Sequence, residues 1–141
     1  MSMLLTKKAD YGIRIVLELS KMPSGTLIST KELARRQGIP LPFLSKIVAE
    51  LASAQILETK RGAKGGVKLS VSPEAISLLD IMEAVDGPVG LSYCAVEPGR
   101  CHREPHCSIR CCLMKVQETL RNELQNISIA SLVQTESTLQ S

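Results

Sequence analysis

The spacing of apolar residues over the first fifty positions predicts three helices separated by short breaks. The first helix covers residues 9–21 with a wide apolar face, and a Pro-Ser-Gly stretch at 23–25 ends it. The second begins at Ser29, with a glutamate three residues later at capping-box spacing, and stops at Gly38. The third begins near Pro42. Its inward stripe, spaced as on a buried helix face, comprises Leu44, Ile47, Val48 and Leu51.

Residues 56–71 change to a pattern that is typical of a β-hairpin. Apolar and polar residues alternate over 67–71, as they do in a half-buried strand. Three glycines between 62 and 66 supply the positive φ angles that a tight, exposed loop needs. The order of helices and hairpin predicts a winged helix-turn-helix, in a fold that is mainly α with a small β-hairpin.

The second half of the chain predicts more helices on either side of a loop at 88–106. Ser72 is expected to cap a fourth helix that reaches about Val85. A long helix should run from about 107 to 126, followed by a short last helix from Ser128 through Val133 and a frayed polar tail.

The long helix carries an apolar seam that predicts dimerisation. The seam recurs at spacings of three, four and four residues and consists of Leu113, Val116, Leu120 and Leu124. It could pack on its own domain. A helix of about 18 residues beside so small a domain is more simply buried against a second copy, so we expect a homodimer.

Charge is divided unequally along the chain. Residues 1–71 hold twelve Lys and Arg against five Asp and Glu, a balance of +7, whereas residues 72–141 have a balance of −4. The basic front half indicates a polyanionic partner such as double-stranded DNA, although scattered solvating charges would give the same balance. Aromatic residues are only 2% of the chain, which argues against stacking on single-stranded nucleic acid.

Other classes of protein are disfavoured by what the sequence lacks. No apolar run approaches the roughly 18 residues of a membrane span, and the N-terminus does not resemble a secretory signal. We therefore expect a cytoplasmic protein with no membrane partner. No nucleophile–base motif, phosphate-binding loop or paired-carboxylate arrangement is present, so we do not expect an enzyme.

In a helix-turn-helix the second helix of the motif enters the major groove, and here that helix starts near Pro42. Ser45 and Lys46 are the best candidates for contacts with base edges or phosphates, because both donate hydrogen bonds and face away from the inward stripe. Phe43 could contact a thymine methyl or form a partly buried ring. In the hairpin, lysines would neutralise phosphates and Arg61 could enter the minor groove. These hairpin candidates are Lys60, Arg61, Lys64 and Lys68.

All five cysteines fall within 19 residues: Cys94, Cys101, Cys107, Cys111 and Cys112. Their odd number and the expected cytosolic location argue against a disulfide framework. Metal binding or thiol chemistry is the better interpretation.

Several motifs make the sequence similar to a known family. They are TKKADYG at 6–12, RQGI at 36–39, RGAKGG at 61–66, EAVDG at 83–87 and ISIASL at 127–132. With these motifs in this order, nearly the whole chain resembles the IscR/NsrR-type family of bacterial winged-helix regulators. The resemblance implies a homodimer that binds near-palindromic operators, with an iron–sulfur cluster near the dimer interface controlling DNA affinity.

The resemblance also implies cluster ligands. Cys94, Cys101 and Cys107 match the three cysteines of the family by position, although the first gap is one residue longer than usual. One branch of the family uses a histidine as the fourth ligand, at a position where this chain has Arg110. Another branch uses a carboxylate of the partner's first helix, and Asp10 stands at that position.

Cys111 is an equal candidate for the fourth ligand, because it follows Cys107 by one helical turn, and Cys112 is a weaker one. His102 and His106 are expected to be solvated. The cluster could be 2Fe-2S or 4Fe-4S, since thiolate sulfur suits both. Structural zinc and a metal-free thiol switch remain alternatives, although only Cys107 and Cys111 approach the spacing of a zinc site.

The sequence thus predicts a homodimeric, cluster-controlled transcriptional regulator that acts as a repressor. An iron–sulfur carrier or electron-transfer protein without sequence-specific DNA binding is the alternative. The predicted organisation is a DNA-binding domain at 1–86, a cluster-binding loop at 87–106, a dimerisation helix with a short terminal helix at 107–133, and a flexible tail at 134–141.

Overall fold

A computed structural model of the chain describes residues 5–91, 99 and 106–140. This part of the chain forms helices and one two-stranded antiparallel hairpin. In chain order the elements are α1 (Lys7–Ser20), α2 (Thr30–Gln37), α3 (Leu41–Ser53), β1 (Leu57–Lys60), β2 (Gly66–Leu69), a single 3-10 turn (Pro73–Ala75), α4 (Leu78–Asp86), α5 (Ser108–Gln125) and α6 (Ile129–Gln140). The predicted winged helix-turn-helix with a long C-terminal helix is confirmed.

Capping residues and glycine set the bounds of α2. The side chain of Ser29 accepts a hydrogen bond from the amide of Glu32 at 3.1 Å, which satisfies one of the free donors at the start of the helix. Gly38 ends the helix in the left-handed conformation, with φ at 64°, which glycine adopts without strain. The chain then turns directly into α3, where Pro42 occupies the first turn and needs no hydrogen-bond acceptor.

The hairpin is attached to the segment that leads into α2. Ile28 and Val67 exchange two backbone hydrogen bonds of 3.1 and 2.8 Å. Ile28 therefore pairs with β2 as an isolated antiparallel bridge next to the hairpin, which is the wing of the fold. Gly66 makes this approach possible, because a Cβ atom there would lie 2.4 Å from the Ile28 carbonyl oxygen. The wing is therefore held against the helix-turn-helix rather than projecting freely from it.

The core lies between α1, α3 and α4 and reaches the last helix through Ile129. The predicted inward stripe of α3 is buried throughout. Each such aliphatic side chain stabilises the fold by about 1.5–3 kcal/mol on burial. Gly12 on α1 faces α4 in this core, and a Cβ atom there would make an ordinary van der Waals contact of 3.4 Å with the side chain of Ile81.

The fourth helix begins five residues later than the sequence predicted. Ser72 precedes only a single 3-10 turn, and Ser77 is the true N-cap. Ser77 and Asp80 form a capping box in which each side chain accepts the other's backbone N–H at 3.0 Å. Between the 3-10 turn and α4, Ile76 is extended, and its carbonyl accepts a hydrogen bond from the amide of Ile129 at 2.8 Å. This contact with the last helix separates the 3-10 turn from α4.

The last helix does not end at Val133, as the sequence predicted, but continues to Gln140, so residues 134–140 are helical. Glu136 on this helix pairs with Lys21 at the end of α1, with 2.8 Å between the charged atoms. Both side chains are about one-third exposed, and such a pair contributes at most about 1 kcal/mol. Thr135 and Thr138 also donate their hydroxyls to carbonyls one turn earlier, so polar side chains are used within the helix.

Candidate nucleic-acid interface and cysteine segment

The first turns of α3 present polar side chains to solvent. Pro42, Ser45 and Lys46 are exposed, as expected for a helix that contacts DNA. Phe43 is instead half-buried and packs edge-on against Tyr11, with 5.5 Å between the ring centroids and an interplanar angle of 76°. Of the two interpretations of Phe43, the structure favours the packed ring.

Three of the four basic candidates in the hairpin are exposed to solvent and accessible to a polyanion. Lys60, Arg61 and Lys64 are exposed at the end of β1 and in the turn. Lys68 lies on β2 directly opposite Glu58 and forms an ion pair with it at 3.2 Å. Its charge is therefore partly compensated within the sheet, which the alternation of the strand did not reveal.

A shallow cavity of about 220 Å³ lies between the start of α2 and the hairpin. Thr30 and Thr59 line it beside Lys60 and the turn glycines. No local sequence pattern points to these threonines, because they meet only through the attachment of the hairpin at Ile28. Hydroxyl groups next to an exposed lysine are the donors with which proteins contact DNA phosphates.

Two arginines on α2 are committed to internal ion pairs. Arg35 and Arg36 both donate to Glu32, and Arg36 also reaches Glu18 on α1 at 3.4 Å. The hydrogen bond from Arg35, followed by that from Arg36, lowers the pKa of Glu32 to about 2. These arginines therefore contribute less free positive charge than the sequence suggests.

The described cysteines lie at the start of α5. Cys107 is the N-cap, and its sulfur accepts the amide of Arg110 at 3.4 Å. The amide of Cys111 bonds to the Cys107 carbonyl at 3.2 Å, so the two follow each other by one helical turn, as predicted. Cys107 is half-buried, whereas Cys111 and Cys112 are exposed, and all three are free thiols. Cys94 and Cys101 lie outside the described residues.

Asp10 lies in the first turn of α1, where a carboxylate interacts favourably with the helix dipole. It also accepts a hydrogen bond from Arg14 at 3.0 Å, and its side chain is 39% exposed.

Within residues 5–91, 99 and 106–140, no three His, Cys, Asp or Glu side chains meet as a metal-binding group. His106 is exposed, as expected, whereas His102 lies outside the described residues.

The predicted dimer seam of α5 divides over two neighbouring faces. Leu113 and Leu124 are half-buried on the face towards their own domain, whereas Val116 and Leu120 are 51% and 37% exposed. Ile109, which the prediction omitted, is 67% exposed on the same side as Val116. No residue of α5 is fully buried by the described part of its own chain.

Beyond the capping bond from the Gly87 amide to the Glu83 carbonyl, the short segment at 87–91 is bonded to side chains of α4 and α5 at Val89 and Leu91. Arg121 on α5 forms a two-armed ion pair with Glu83 on α4 and also donates to the Val89 carbonyl at 3.3 Å. The Val89 amide donates to Glu83 at 3.1 Å, and the Leu91 amide donates to Gln117 at 3.0 Å. Partial burial raises the pKa of Glu83, but the hydrogen bonds from Arg121 and Val89 outweigh it and lower that pKa.

None of the helices in the described ranges combines the length and apolar content that a membrane span requires.

Comparison with known proteins identifies the family. A sequence model of the Rrf2 family, described as iron-dependent transcriptional regulators, matches residues 5–135. CymR from Staphylococcus aureus is similar over 91% of this chain and 96% of its own, at 26% identity and a TM-score of 0.69. IscR from T. potens (98% and 91% covered, TM-score 0.77) and CymR, the global cysteine regulator of B. subtilis (94% and 97%, TM-score 0.74), each share 23% identity and show the fold.

The match spans nearly the whole chain, and it includes both the exposed first turns of α3 and the cysteine-bearing start of α5. A family of transcriptional regulators binds DNA and does not catalyse reactions, in agreement with the absence of enzyme motifs from the sequence. The chain therefore belongs to the Rrf2 family of DNA-binding transcriptional regulators.

Proposed function

We propose that the protein is a homodimeric repressor whose affinity for a near-palindromic operator depends on a bound iron–sulfur cluster. The observation that carries this proposal is the position of Cys107, which joins the cysteine-rich segment directly to α5 as its N-cap. A change at the cysteines thereby acts on the helix that pairs the two subunits. Membership in a family of regulators favours this function over an electron carrier.

The donor set fits a cluster. Thiolate sulfur is the ligand that iron–sulfur clusters require, and Cys107 with Cys94 and Cys101 would supply three sulfurs. Cys111, exposed one turn beyond Cys107, would complete the set within one subunit. Asp10 of the partner would do so across the dimer, after releasing or sharing its hydrogen bond to Arg14. When bound, the cluster supplies a reactivity towards oxidants and nitric oxide that the protein side chains lack.

DNA contacts are assigned to the exposed groups of the winged helix-turn-helix. Ser45 and Lys46 on α3 meet the major groove, while Lys60 and Lys64 neutralise phosphates and Arg61 enters the minor groove. We give Phe43 and Lys68 supporting roles, since the ring packs on Tyr11 and the lysine pairs with Glu58. A regulator of this kind acts in the cytoplasm, where a bacterial operator lies.

The homodimer is supported by an apolar side of α5 that the described part of the chain leaves exposed. Ile109, Val116 and Leu120 are large apolar residues left exposed along one stripe of this helix. A two-fold pairing through the stripe would bury them and present two copies of α3 to successive turns of the major groove. The operator is then expected to contain inverted half-sites about one or two helical turns apart.

A thiol switch without metal is the second candidate. Three free thiols within one and a half turns of α5 favour it. The similarity to CymR from Staphylococcus aureus also favours it, because the structure of that protein has been solved in an oxidised form as well, to which this chain is 25% identical. Zinc held by the same sulfurs is a third arrangement, for which only Cys107 and Cys111 have a suitable spacing.

The deciding experiment is the iron, sulfide and zinc content of anaerobically purified protein, together with its absorption spectrum. Equal iron and sulfide support the cluster, and their ratio to protein selects two or four irons. Zinc without sulfide, or no metal after reconstitution, contradicts it. Replacing Asp10 with Ala or Cys111 with Ser identifies the fourth ligand by its spectral change.

Operator control is tested with a duplex selected from a random pool. The triple variant with Ser at 94, 101 and 107 should remain a folded dimer whose DNA binding no longer responds to oxidant or nitric oxide. Cys112→Ser removes the weaker candidate for the fourth ligand and should keep the response, whereas loss of the response would assign that ligand to Cys112. An unchanged response in the triple variant rules out sensing by these cysteines.

A further inference from the structure

The segment at 87–91, which we call the strap, connects α4 to residues 92–107. We call these residues the cysteine segment, because they contain Cys94, Cys101 and Cys107. The amides of Val89 and Leu91 and the carbonyl of Val89 are bonded to side chains of two different helices. Cys94 follows the strap by three residues in the sequence. The other end of the cysteine segment is Cys107, the N-cap of α5.

The described residues on either side, Leu91 before the cysteine segment and Cys107 at its end, are therefore both attached to the same helix. Leu91 is bonded to Gln117, and Cys107 starts the helix that carries Gln117 and Arg121. Gln117 and Arg121 are four residues apart and lie on one face of α5, the face directed towards α4. Between them they hold one amide and one carbonyl of the strap.

Glu83 connects this arrangement to the DNA-binding domain. Its carboxylate receives both arms of the Arg121 guanidinium and the Val89 amide, so all three elements meet at one side chain. A guanidinium donating through two N–H groups to a carboxylate fixes the relative orientation of its partners more strictly than a single contact. The residue lies on α4, which packs against α1 and α3.

We infer that Arg121, together with Glu83 and Gln117, is a positioning residue that fastens the strap, which immediately precedes the cysteine segment, to α5 and α4. The inference rests on the proposed function in one respect, namely that the cysteine segment holds the cluster. With the strap fastened, Leu91 is anchored three residues before Cys94 in the sequence, and Glu83 joins the strap to α4, which packs against α1 and α3. None of these three residues is itself proposed as a ligand.

The first test uses metal-free protein and measures amide hydrogen exchange at Val89 and Leu91. Gln117→Leu should accelerate exchange at Leu91 by about tenfold, the effect of losing one hydrogen bond, while Gln117→Glu keeps the acceptor and the slow rate. Arg121→Met should accelerate exchange at both amides, because the strap is held as a unit. Lys115→Met is the control, since Lys115 is exposed on the same helix and makes none of these contacts.

The second test measures how fast the visible absorbance of reconstituted protein decays in the presence of an iron chelator. Arg121→Met should lose the cluster at least about tenfold faster than the wild type, Arg121→Lys should be intermediate, and Lys115→Met should be unchanged. If Arg121→Met fails to fold, Gln117→Leu and Gln117→Glu carry both tests.

The outcomes separate the inference from the proposed function. Unchanged exchange at Val89 and Leu91 overturns the inference, and so does faster exchange with unchanged cluster retention, because the strap would then position nothing. If the wild type takes up no cluster, the proposed function fails, and the exchange rates alone decide whether Arg121 anchors the strap.

Discussion

Lys8 in the first turn of α1 donates to Glu50 on α3, with 2.7 Å between the charged atoms. Both side chains are about three-quarters buried, and the second carboxylate oxygen of Glu50 has no hydrogen-bond partner among the described residues. The pair therefore ties the helix proposed to read DNA to the turn that carries Asp10. The negative charge of Glu50 is compensated by Lys8.

Lys8→Met should lower the free energy of unfolding by about 1–2 kcal/mol, because it leaves a largely buried carboxylate without its donor. Urea denaturation at fixed protein concentration measures this. Lys31→Met removes the same charge from an exposed position on α2 and should have an effect below about 0.5 kcal/mol. Equal effects of the two substitutions would show that the Lys8–Glu50 pair contributes nothing.

Gly66→Ala should detach the wing. A Cβ atom at this position would lie 2.4 Å from the Ile28 carbonyl oxygen, and the φ angle of 155° is also unfavourable for alanine. We expect the bridge between Ile28 and Val67 to open and the free energy of unfolding to fall by more than about 2 kcal/mol. Exchange of the Ile28 and Val67 amides should accelerate with it.

Gly25→Ala is the matched control for the wing. Gly25 also has a positive φ, but a Cβ atom there meets nothing within 4 Å. Its substitution should cost only about 1 kcal/mol and leave the Ile28 and Val67 amides protected. Fast exchange at those amides in Gly25→Ala, or slow exchange in Gly66→Ala, contradicts the role given to Gly66.

Part of this structure could be predicted from local sequence and part could not. Ser77 and Asp80 have capping-box spacing, so the local sequence contains the true start of α4, although Ser72 with the following Pro73 carries a competing helix-start signal. The continuation of α6 to Gln140 could not be predicted from local sequence. The ion pair that attaches this part of the helix joins Lys21 and Glu136, which are distant along the chain.

The two faces of α5 show the same limit for the candidate site. Periodicity correctly predicts an amphipathic helix, but the neighbouring stripes of Leu113 and Val116 are equally apolar. Which of them faces its own domain depends on α4 and on the Arg121–Glu83 pair, which lie far apart in sequence. The exposed positions on α3, by contrast, follow from local spacing alone, and the structure agrees with the sequence there.

The contribution of Glu32 to stability should disappear in acid. Its pKa is lowered to about 2 from a usual 4.5, so the stabilisation is fully present above pH 4.5 and is lost as the pH falls towards 2. The difference in stability between the wild type and Glu32→Gln should shrink over that window and decrease with added salt. A carboxyl titration of Glu32 by NMR with its midpoint near 4.5 would contradict this prediction.

The salt dependence of operator binding should identify the phosphate contacts. Lys60→Ala and Lys64→Ala should each reduce the slope of log K against log salt concentration by about 0.9, because each removes one contact that releases counterions. Lys68→Ala should reduce it less, since Lys68 pairs with Glu58 in the free protein. Equal reductions for all three lysines would mean that the Lys68–Glu58 pair opens on DNA.

Val116→Arg should break the dimer. Val116 is 51% exposed between Ile109 and Leu120 on the outer apolar stripe of α5, and pairing through this stripe would bury the introduced charge. We expect the dissociation constant of the dimer to rise at least about a hundredfold, since an uncompensated buried charge costs several kcal/mol. Glu118→Arg places the same side chain on the opposite side of the helix and should leave the dimer intact. Analytical ultracentrifugation measures both, and a Val116→Arg protein that remains dimeric assigns the interface to another surface.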